Sequence, residues 1–284
     1  MRTLSRCLAS LALTGVWFAL LPSIGGALED GSMPARQTAS AFAWPDGKRA
    51  AISLSFDDAR EPQLDAGLPV LAETNTKVTF YLTASSLRTR AAGWRKAAAA
   101  GHELGNHSMT HPCSGNFAWS RDRALEDFTL DQIRSELNAA NRAIEDATGV
   151  RPVTFAYPCG QTFVGRGAGV MSYVPLVSDT FLAGRLWRGE APNDPGFVDL
   201  AQVLGYPMDD VDFSELEPVV SDAITRGQWL VLAGHDIGSK PGPQVTRVAT
   251  LRALTEYAHM PGRGVWVDTI ANVAAYIKRA GGRP

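Results

Sequence analysis

Ala51-Ile-Ser-Leu-Ser-Phe56-Asp57-Asp58 is an apolar run that ends on two adjacent carboxylates. The run reads as a buried strand over 50–56. Carboxylates at the end of such a strand are costly to bury unpaired, so a cation is expected beside them, and a divalent metal would serve. Further along, Gly105-Asn-His107-Ser-Met-Thr-His111-Pro112 holds two of the chain's five histidines, four residues apart. On one helical turn, positions i and i+4 share a face, so both imidazoles could reach one ion. A third apolar strand, Trp229-Leu-Val-Leu-Ala-Gly234, delivers His235 and Asp236 at its end.

From Lys48 onward, short apolar runs alternate with amphipathic segments. The predicted strands are 50–56, 77–82, 102–106, 152–157, 174–178, 228–233 and 264–268. The clearest helix runs from Leu130 to Thr148, with Leu130, Ile133, Leu137, Ala140 and Ile144 on one face. Thr129 with Gln132 forms a capping box at its start, and Gly149 supplies its stop. A second helix is expected over 244–258. Strand then helix, repeated along the chain, predicts an α/β fold with a parallel sheet, open or closed into a barrel. Asp57, Asp58, His107, Tyr157-Pro158, Asp179 and His235 all follow carboxyl ends of separate predicted strands. A barrel gathers its reactive groups there, which favours the closed form.

The first 27 residues carry Arg2 and Arg6, then a nearly unbroken apolar run from Leu8 to Leu21, then Gly25, Gly26 and Ala27. That is the layout of a cleaved signal peptide, too short and wrongly flanked for a stable membrane span. Cys7 precedes the apolar run, which argues against lipid attachment. The expected location is secreted or periplasmic, with no membrane span in the mature chain. Residues 28–46 read as a flexible lead-in, and 47–284 as a single catalytic domain with no internal repeat. With 27 basic and 29 acidic residues the net charge is −2. Nothing in that balance points to nucleic acid or an anionic membrane as partner. No feature sets an oligomeric state.

These residues also carry a family resemblance. Ser55-Phe56-Asp57-Asp58 resembles the Thr/Ser-Phe-Asp-Asp motif of the polysaccharide deacetylases, the NodB-homology carbohydrate esterases, and His107-Ser-Met-Thr-His111 resembles their His-Ser/Thr-x-x-His motif. Phe155-Ala-Tyr-Pro158-Cys-Gly160 is similar in position to the Arg-x-Pro-Tyr-Gly segment, and Leu232-Ala-Gly-His235-Asp236 to the late Leu-x-His motif. Their order and separation match, so the resemblance covers about residues 48 to 278. It implies a distorted (β/α)7-type barrel and metal-dependent removal of an N- or O-acetyl group from a polysaccharide or oligosaccharide.

Carried over, the resemblance makes Asp58, His107 and His111 the metal ligands and Asp57 the general base. It gives the oxyanion a backbone N–H on Cys159, and makes His235 the general acid. One carboxylate and two imidazoles suit zinc, with cobalt or nickel also compatible. A protonated His235 needs a carboxylate neighbour, for which Asp179 and Asp236 are the two candidates. Three departures stand out. Ala156 replaces the usual arginine, so whatever steadies Asp57 comes from elsewhere, and Arg185 is the candidate. Cys159 replaces a tyrosine. Ala233 and Gly234 stand where a leucine is usual, which either widens a pocket wall or packs a tight strand end.

Cys7 leaves with the signal, so the mature chain keeps Cys113 and Cys159, each close to a proposed site segment. In an oxidising compartment such a pair is expected to be bridged. The remaining features take ordinary structural readings. His102 lies inside a strand, and His259 near last-turn carbonyls of a helix. Trp94, Trp187, Trp229 and Trp266 are read as packing residues, with stacking on a sugar ring as the other reading for Trp119 and Trp187. Asp209-Asp210 and Asp212 read as a solvated turn. Two other functional classes are compatible: a C–N hydrolase acting on a small non-sugar amide, and a glycan-binding protein that has lost turnover.

Overall fold

The computed structural model describes residues 42–281, apart from the side chain of Arg88. The expected signal peptide and residues 28–41 of the lead-in lie outside the described residues. The strands are β1 (Ala50–Asp57), β2 (Thr79–Leu82), β3 (Glu103–Asn106), β4 (Thr154–Ala156), β5 (Phe163–Val164), β6 (Met171–Ser172), β7 (Ala183–Arg185), β8 (Tyr206–Pro207), β9 (Trp229–Gly234), β10 (Asp236–Gly238), β11 (Val245–Arg247) and β12 (Val265–Val267). The helices are α1 (Leu68–Glu73), α2 (Ala91–Ala99), α3 (Leu130–Thr148), α4 (Val174–Thr180), α5 (Phe213–Arg226), α6 (Val248–His259) and α7 (Ile270–Arg279).

Eight strands form one sheet in the order β7-β4-β3-β2-β1-β9-β8, with β12 also pairing on β1. Every pair within it is parallel. β1 runs through the middle: its first half pairs with β12, its second half with β2, and its other edge with β9 along Ala51–Phe56. Val203 bridges Arg185 at one end of the sheet, and β8, three residues later, pairs with β9 at the other. The segment 203–207 therefore ties the two edges together, giving the expected distorted barrel with helices outside.

Local sequence accounts for these elements. All eight residues of β1 are buried, as a strand covered on both faces requires. α3 starts at Thr129, whose side chain accepts from the Gln132 amide while the Gln132 side chain accepts from the Thr129 amide. It ends at Gly149 in the left-handed conformation. Ile133, Leu137 and Ile144 turn inward, each burial contributing about 2 kcal/mol. α5 repeats the device, with an Asp212–Glu215 capping box and left-handed Gly227. Asp212 is thus a helix cap rather than part of a loose turn.

Three expectations need correcting. The predicted strand at 174–178 is helix α4, in which Pro175 sits in the first turn and Leu176 and Val177 face inward. Short apolar runs fit either state by periodicity alone, and a proline pre-set for a first helical turn decides this one. The strand that follows, β7, and the two-residue β8 are too short to leave a pattern. The helix expected over 244–258 begins at Val248, because Val245–Arg247 pair with β10 instead. The part of the lead-in that is described is also not loose: Trp44 is 5% exposed and its indole N–H donates to the Gly227 carbonyl at 2.9 Å.

Asn106, at the end of β3, fixes the histidine-bearing loop to the outer layer. Its side-chain amide donates to Leu137 O at 3.0 Å and Asn141 Oδ1 at 2.7 Å on α3, and its Oδ1 accepts the Ser108 amide at 2.6 Å. All of these groups are buried, so removing the side chain orphans partners that water cannot reach. Asn106→Ala is expected to destabilise by about 3 kcal/mol, read as a lower urea midpoint at unchanged slope.

Candidate functional site

β1 carries Asp57 as its last residue and turns sharply afterward, with Asp58 and Ala59 both at positive φ (79° and 57°). That turn splits the two carboxylates. Both line a cleft of about 1050 Å³ at the carboxyl ends of the strands, Asp57 at its floor with 4% exposure and Asp58 more open to it.

His107 follows β3 directly, and its backbone N–H donates to Leu82 O at 3.1 Å. The segment to His111 is not the helical turn that the four-residue spacing suggested. It is a loop with Ser108 and His111 at positive φ (64° and 57°), in which the His111 amide donates to Ser108 Oγ at 2.9 Å. The loop brings the rings together all the same, with centroids 4.7 Å apart. Nε2 of His107 and Nε2 of His111 each lie 3.5 Å from Asp58 Oδ1.

The donor set fits a metal ion. Three ligand atoms from Asp58, His107 and His111 lie within 4.8 Å of one another. His107 Nδ1–H donates to the Ala156 carbonyl at 2.8 Å, which leaves Nε2 with its lone pair toward the cleft. Arg60 holds the other Asp58 oxygen, Oδ2, at 2.8 Å, so Oδ1 is the one presented. Burial, helped by the neighbouring His107, pushes His111 down to about 4 against the pull of Asp58 and Asp57, so it is neutral at neutral pH. Burial would raise Asp58, but His107, His111, His235 and Arg60 outweigh it and bring it to about 2. Asp58 and His111 therefore stand in ligating form, and the hydrogen bond at His107 Nδ1 turns its Nε2 to the cleft. His111 also meets the two cysteines, but Cys113 and Cys159 are joined as a disulfide and offer no thiolate.

Asp57 is paired with Arg185, whose Nη2 lies 2.5 Å from both carboxylate oxygens. Burial alone would drive Asp57 toward its neutral form, and Arg185, with His107 and His235, reverses that and lowers its pKa. Arg185 is itself fully buried at the end of β7, its guanidinium 5.2 Å from the Tyr81 ring centre. β4 and β7 pair in register, and Ala156 stands opposite Arg185. The guanidinium missing at Ala156 thus arrives from the adjacent strand at the matching position.

His235, just past β9, does not use either expected carboxylate. Asp179 lies exposed on α4, and Asp236 turns to Arg60 at 3.4 Å. The partner is Asp209, whose Oδ2 sits 2.6 Å from His235 Nδ1 while its Oδ1 accepts the His235 amide at 3.1 Å and the Thr246 hydroxyl at 2.8 Å. Asp209 is thus a site residue with a largely covered side chain and not part of a solvated turn. Burial disfavours the imidazolium, but the hydrogen bond that His235 Nδ1–H donates to Asp209 and the charges of Asp57, Asp209 and Asp58 more than offset it, so His235 is raised above its ordinary pKa. Gly234 makes room for this pair: a Cβ there would overlap Thr246 Oγ1 and lie 2.8 Å from Asp209 Oδ1. Its replacement of a leucine serves packing of the pair. The signal for Asp209 was available, since Tyr206-Pro-Met-Asp209-Asp210 repeats the apolar-then-paired-acid pattern of Phe56-Asp57-Asp58.

Gln63 was also missed; its amide donates to Asp57 O at 2.5 Å and His235 O at 2.9 Å, tying two site segments together. Of the other histidines, His102 is buried and accepts the Val78 amide at Nδ1, and His259 contacts Thr76 Oγ1 at 3.2 Å rather than last-turn carbonyls. Trp94 and Trp229 are fully buried, whereas Trp119 and Trp187 line the cleft.

The disulfide between Cys113 and Cys159 joins the loop of His111 to the turn after β4. Cys159 itself lines the cleft with φ 54°, and Cys113 Sγ is 3.6 Å from His111 Nδ1. Closing this loop stabilises the fold by about 4 kcal/mol in the chain-entropy picture. The Cys113→Ser, Cys159→Ser double variant is expected to lose stability on that scale and to bind zinc more weakly, as measured by urea unfolding and metal titration; unchanged values in both would show the bridge to be dispensable.

Residues 45–164 match the polysaccharide deacetylase family. The chain is 34% identical over 97 residues to YlxY, an uncharacterized protein of Bacillus subtilis, covering 34% of this chain and 27% of that one. It is 31% identical over 107 residues to chitin deacetylase 1 of Cryptococcus neoformans, covering 38% of this chain and 20% of that one. It therefore spans about a quarter or less of these relatives' length. A solved Mycobacterium smegmatis structure assigned to the polysaccharide deacetylases superposes with a TM-score of 0.62 over 87% of this chain and 96% of that one, at 20% identity, a likeness of fold. Residues 45–164, somewhat under half of the chain, thus match the polysaccharide deacetylase family, and the barrel that carries them has the fold of the Mycobacterium smegmatis structure.

Proposed function

We propose that the protein is a metal-dependent hydrolase that removes acetyl groups, as amide or ester, from a polysaccharide or oligosaccharide outside the cytoplasm. The observation that carries this reading is the pairing of a three-ligand cluster with a separately ionised carboxylate: Asp58, His107 and His111 converge, while Asp57 is held apart by Arg185. A divalent ion held by Asp58, His107 and His111, zinc by ligand type with cobalt or nickel next, would supply Lewis-acid polarisation and make water acidic enough to attack at neutral pH.

The protein's own groups do the rest. Asp57, kept ionised by Arg185, takes the proton of the attacking water as general base. Arg185 touches no substrate; it positions Asp57 and sets its charge. The Cys159 N–H, at the lip of the cleft, donates to the oxygen that becomes negative as the acetyl carbon turns tetrahedral. His235, its pKa raised by Asp209, returns a proton to the departing amine or alkoxide. The size of the cleft favours a glycan over a small ring amide. A glycan-binding protein without turnover would have no need of both an Asp57 paired with buried Arg185 and a His235 paired with Asp209.

Acetate release from N-acetylglucosamine oligomers, peptidoglycan and acetylated xylan, measured on chelator-stripped protein before and after adding zinc, tests the reading. Zinc-dependent release that Asp57→Asn lowers by about a hundredfold or more is the expected result; release equal in the stripped protein, or from none of the three, would refute it. The pH profile tests His235 separately. A general acid must be protonated, so activity falls as pH rises through its pKa, and Asp209 holds that pKa up. Asp209→Asn is therefore expected to move the alkaline limb of kcat/KM to lower pH. An unmoved limb would remove His235 from the role.

A further inference from the structure

The cleft beside the metal cluster carries an aromatic shelf and two arginines that the proposed chemistry does not use. Phe117 and Trp119 are 43% and 53% exposed, yet stacked on each other at 5.5 Å, and Trp119 lies 5.8 Å from the His111 ring. Large aromatics left in water on a fixed surface mark a binding face.

The loop that bears them is rigid. Ser114 Oγ donates to Glu126 Oε1 at 2.5 Å and the Gly115 amide to Glu126 Oε2 at 2.9 Å. The Ser114 amide donates to Gln161 Oε1, and Ser120 Oγ exchanges hydrogen bonds with the Cys113 backbone. Because the loop is already ordered, its aromatics can bind without the entropic cost of ordering it. A pyranose lying on Trp119 would place its neighbour in the chain over Asp58, His107 and His111.

Charge narrows the choice of sugar. The acids that line the cleft each have a cation beside them: Asp57 has Arg185, Asp58 has Arg60, and Glu61 has Arg90 at 3.6 Å, an arginine it shares with Asp65. Arg60 is in turn taken up by Asp58 and Asp236. Arg123 and Arg188 also line the cleft, and neither has an acidic partner among the described residues. Arg123 leans over the Trp119 ring at 5.8 Å, and its buried Nε has no hydrogen-bond partner. Two uncompensated guanidiniums thus face the cleft of a protein whose net charge is −2.

We propose that the cleft recognises an acetylated glycan bearing carboxylates, with a uronate-type sugar stacked on Trp119 and its carboxylate held by Arg123 and Arg188. This rests on the deacetylase reading and names its substrate class. A carboxylate projects from the edge of a pyranose while its face is apolar, so one aromatic shelf and flanking forks bind both features at once.

The test uses zinc-loaded protein and two unacetylated tetramers, one of galacturonate and one of neutral glucose, with binding followed by calorimetry. The galacturonate tetramer is expected to bind about tenfold more tightly. That margin should vanish in the Arg123→Gln, Arg188→Gln double variant and in about 0.5 M sodium chloride, where charges are screened within a few Å. Equal affinity for both tetramers, or a preference that survives the double variant, would overturn the assignment. Acetate release from acetylated pectin and acetylated xylan separates the two claims. Release from xylan without any uronate preference sinks only the charge assignment, whereas uronate preference with release from neither sinks only deacetylation.

Discussion

The ion pair between Asp57 on β1 and Arg185 on β7 spans the interior of the barrel between strands 128 residues apart in sequence. Neither charge tolerates burial alone. Removing one partner of such a pair typically costs about 3–5 kcal/mol because the other is stranded. Both ends therefore have to be brought into place by the sheet. β1 supplies Asp57 from the middle strand, and the β4–β7 register supplies Arg185 opposite Ala156. With Asp57 committed to Arg185, Asp58 is left free to turn outward to the histidines, and the positive φ at Asp58 is the local strain that separates the two.

Around that pair, the site divides charge between compartments. Asp58, His107 and His111 form a cluster in which burial lowers the pKa of His111, while Asp209 and the nearby Asp57 and Asp58 raise that of His235. The same side-chain type is thus shifted in opposite directions within one cleft, downward by burial at His111 and upward by the Asp209 carboxylate at His235. The disulfide adds a covalent tie between the loop of His111 and the turn of Cys159.

The parts of this arrangement legible in the sequence are those written in contiguous residues. Apolar runs ending on acids or histidines gave β1, β3 and β9 and the residues at their ends, and the Thr129–Gln132 box with Gly149 marked both ends of α3. What sequence did not reveal depends on register and on short elements. Pro175-Leu-Val looked like a strand because three apolar residues carry no period, which displaced Asp179 to a strand end it does not occupy. β7 and β8 are three and two residues long, so the strand that delivers Arg185 and the one that leads to Asp209 left no pattern to read. The spacing of His107 and His111 correctly brought them together but for the wrong geometric reason, since left-handed backbone at Ser108 and His111 does what a helical turn was expected to do.

The central claim is that Asp58, His107 and His111 form one metal site adjacent to an ionised Asp57. Calorimetric titration of zinc into chelator-stripped protein addresses it without depending on any substrate. One ion per chain is expected, with affinity reduced by about a hundredfold or more in Asp58→Ala and retained in Asp57→Asn. Absence of binding, or binding indifferent to Asp58, would contradict the site and the chemistry built on it.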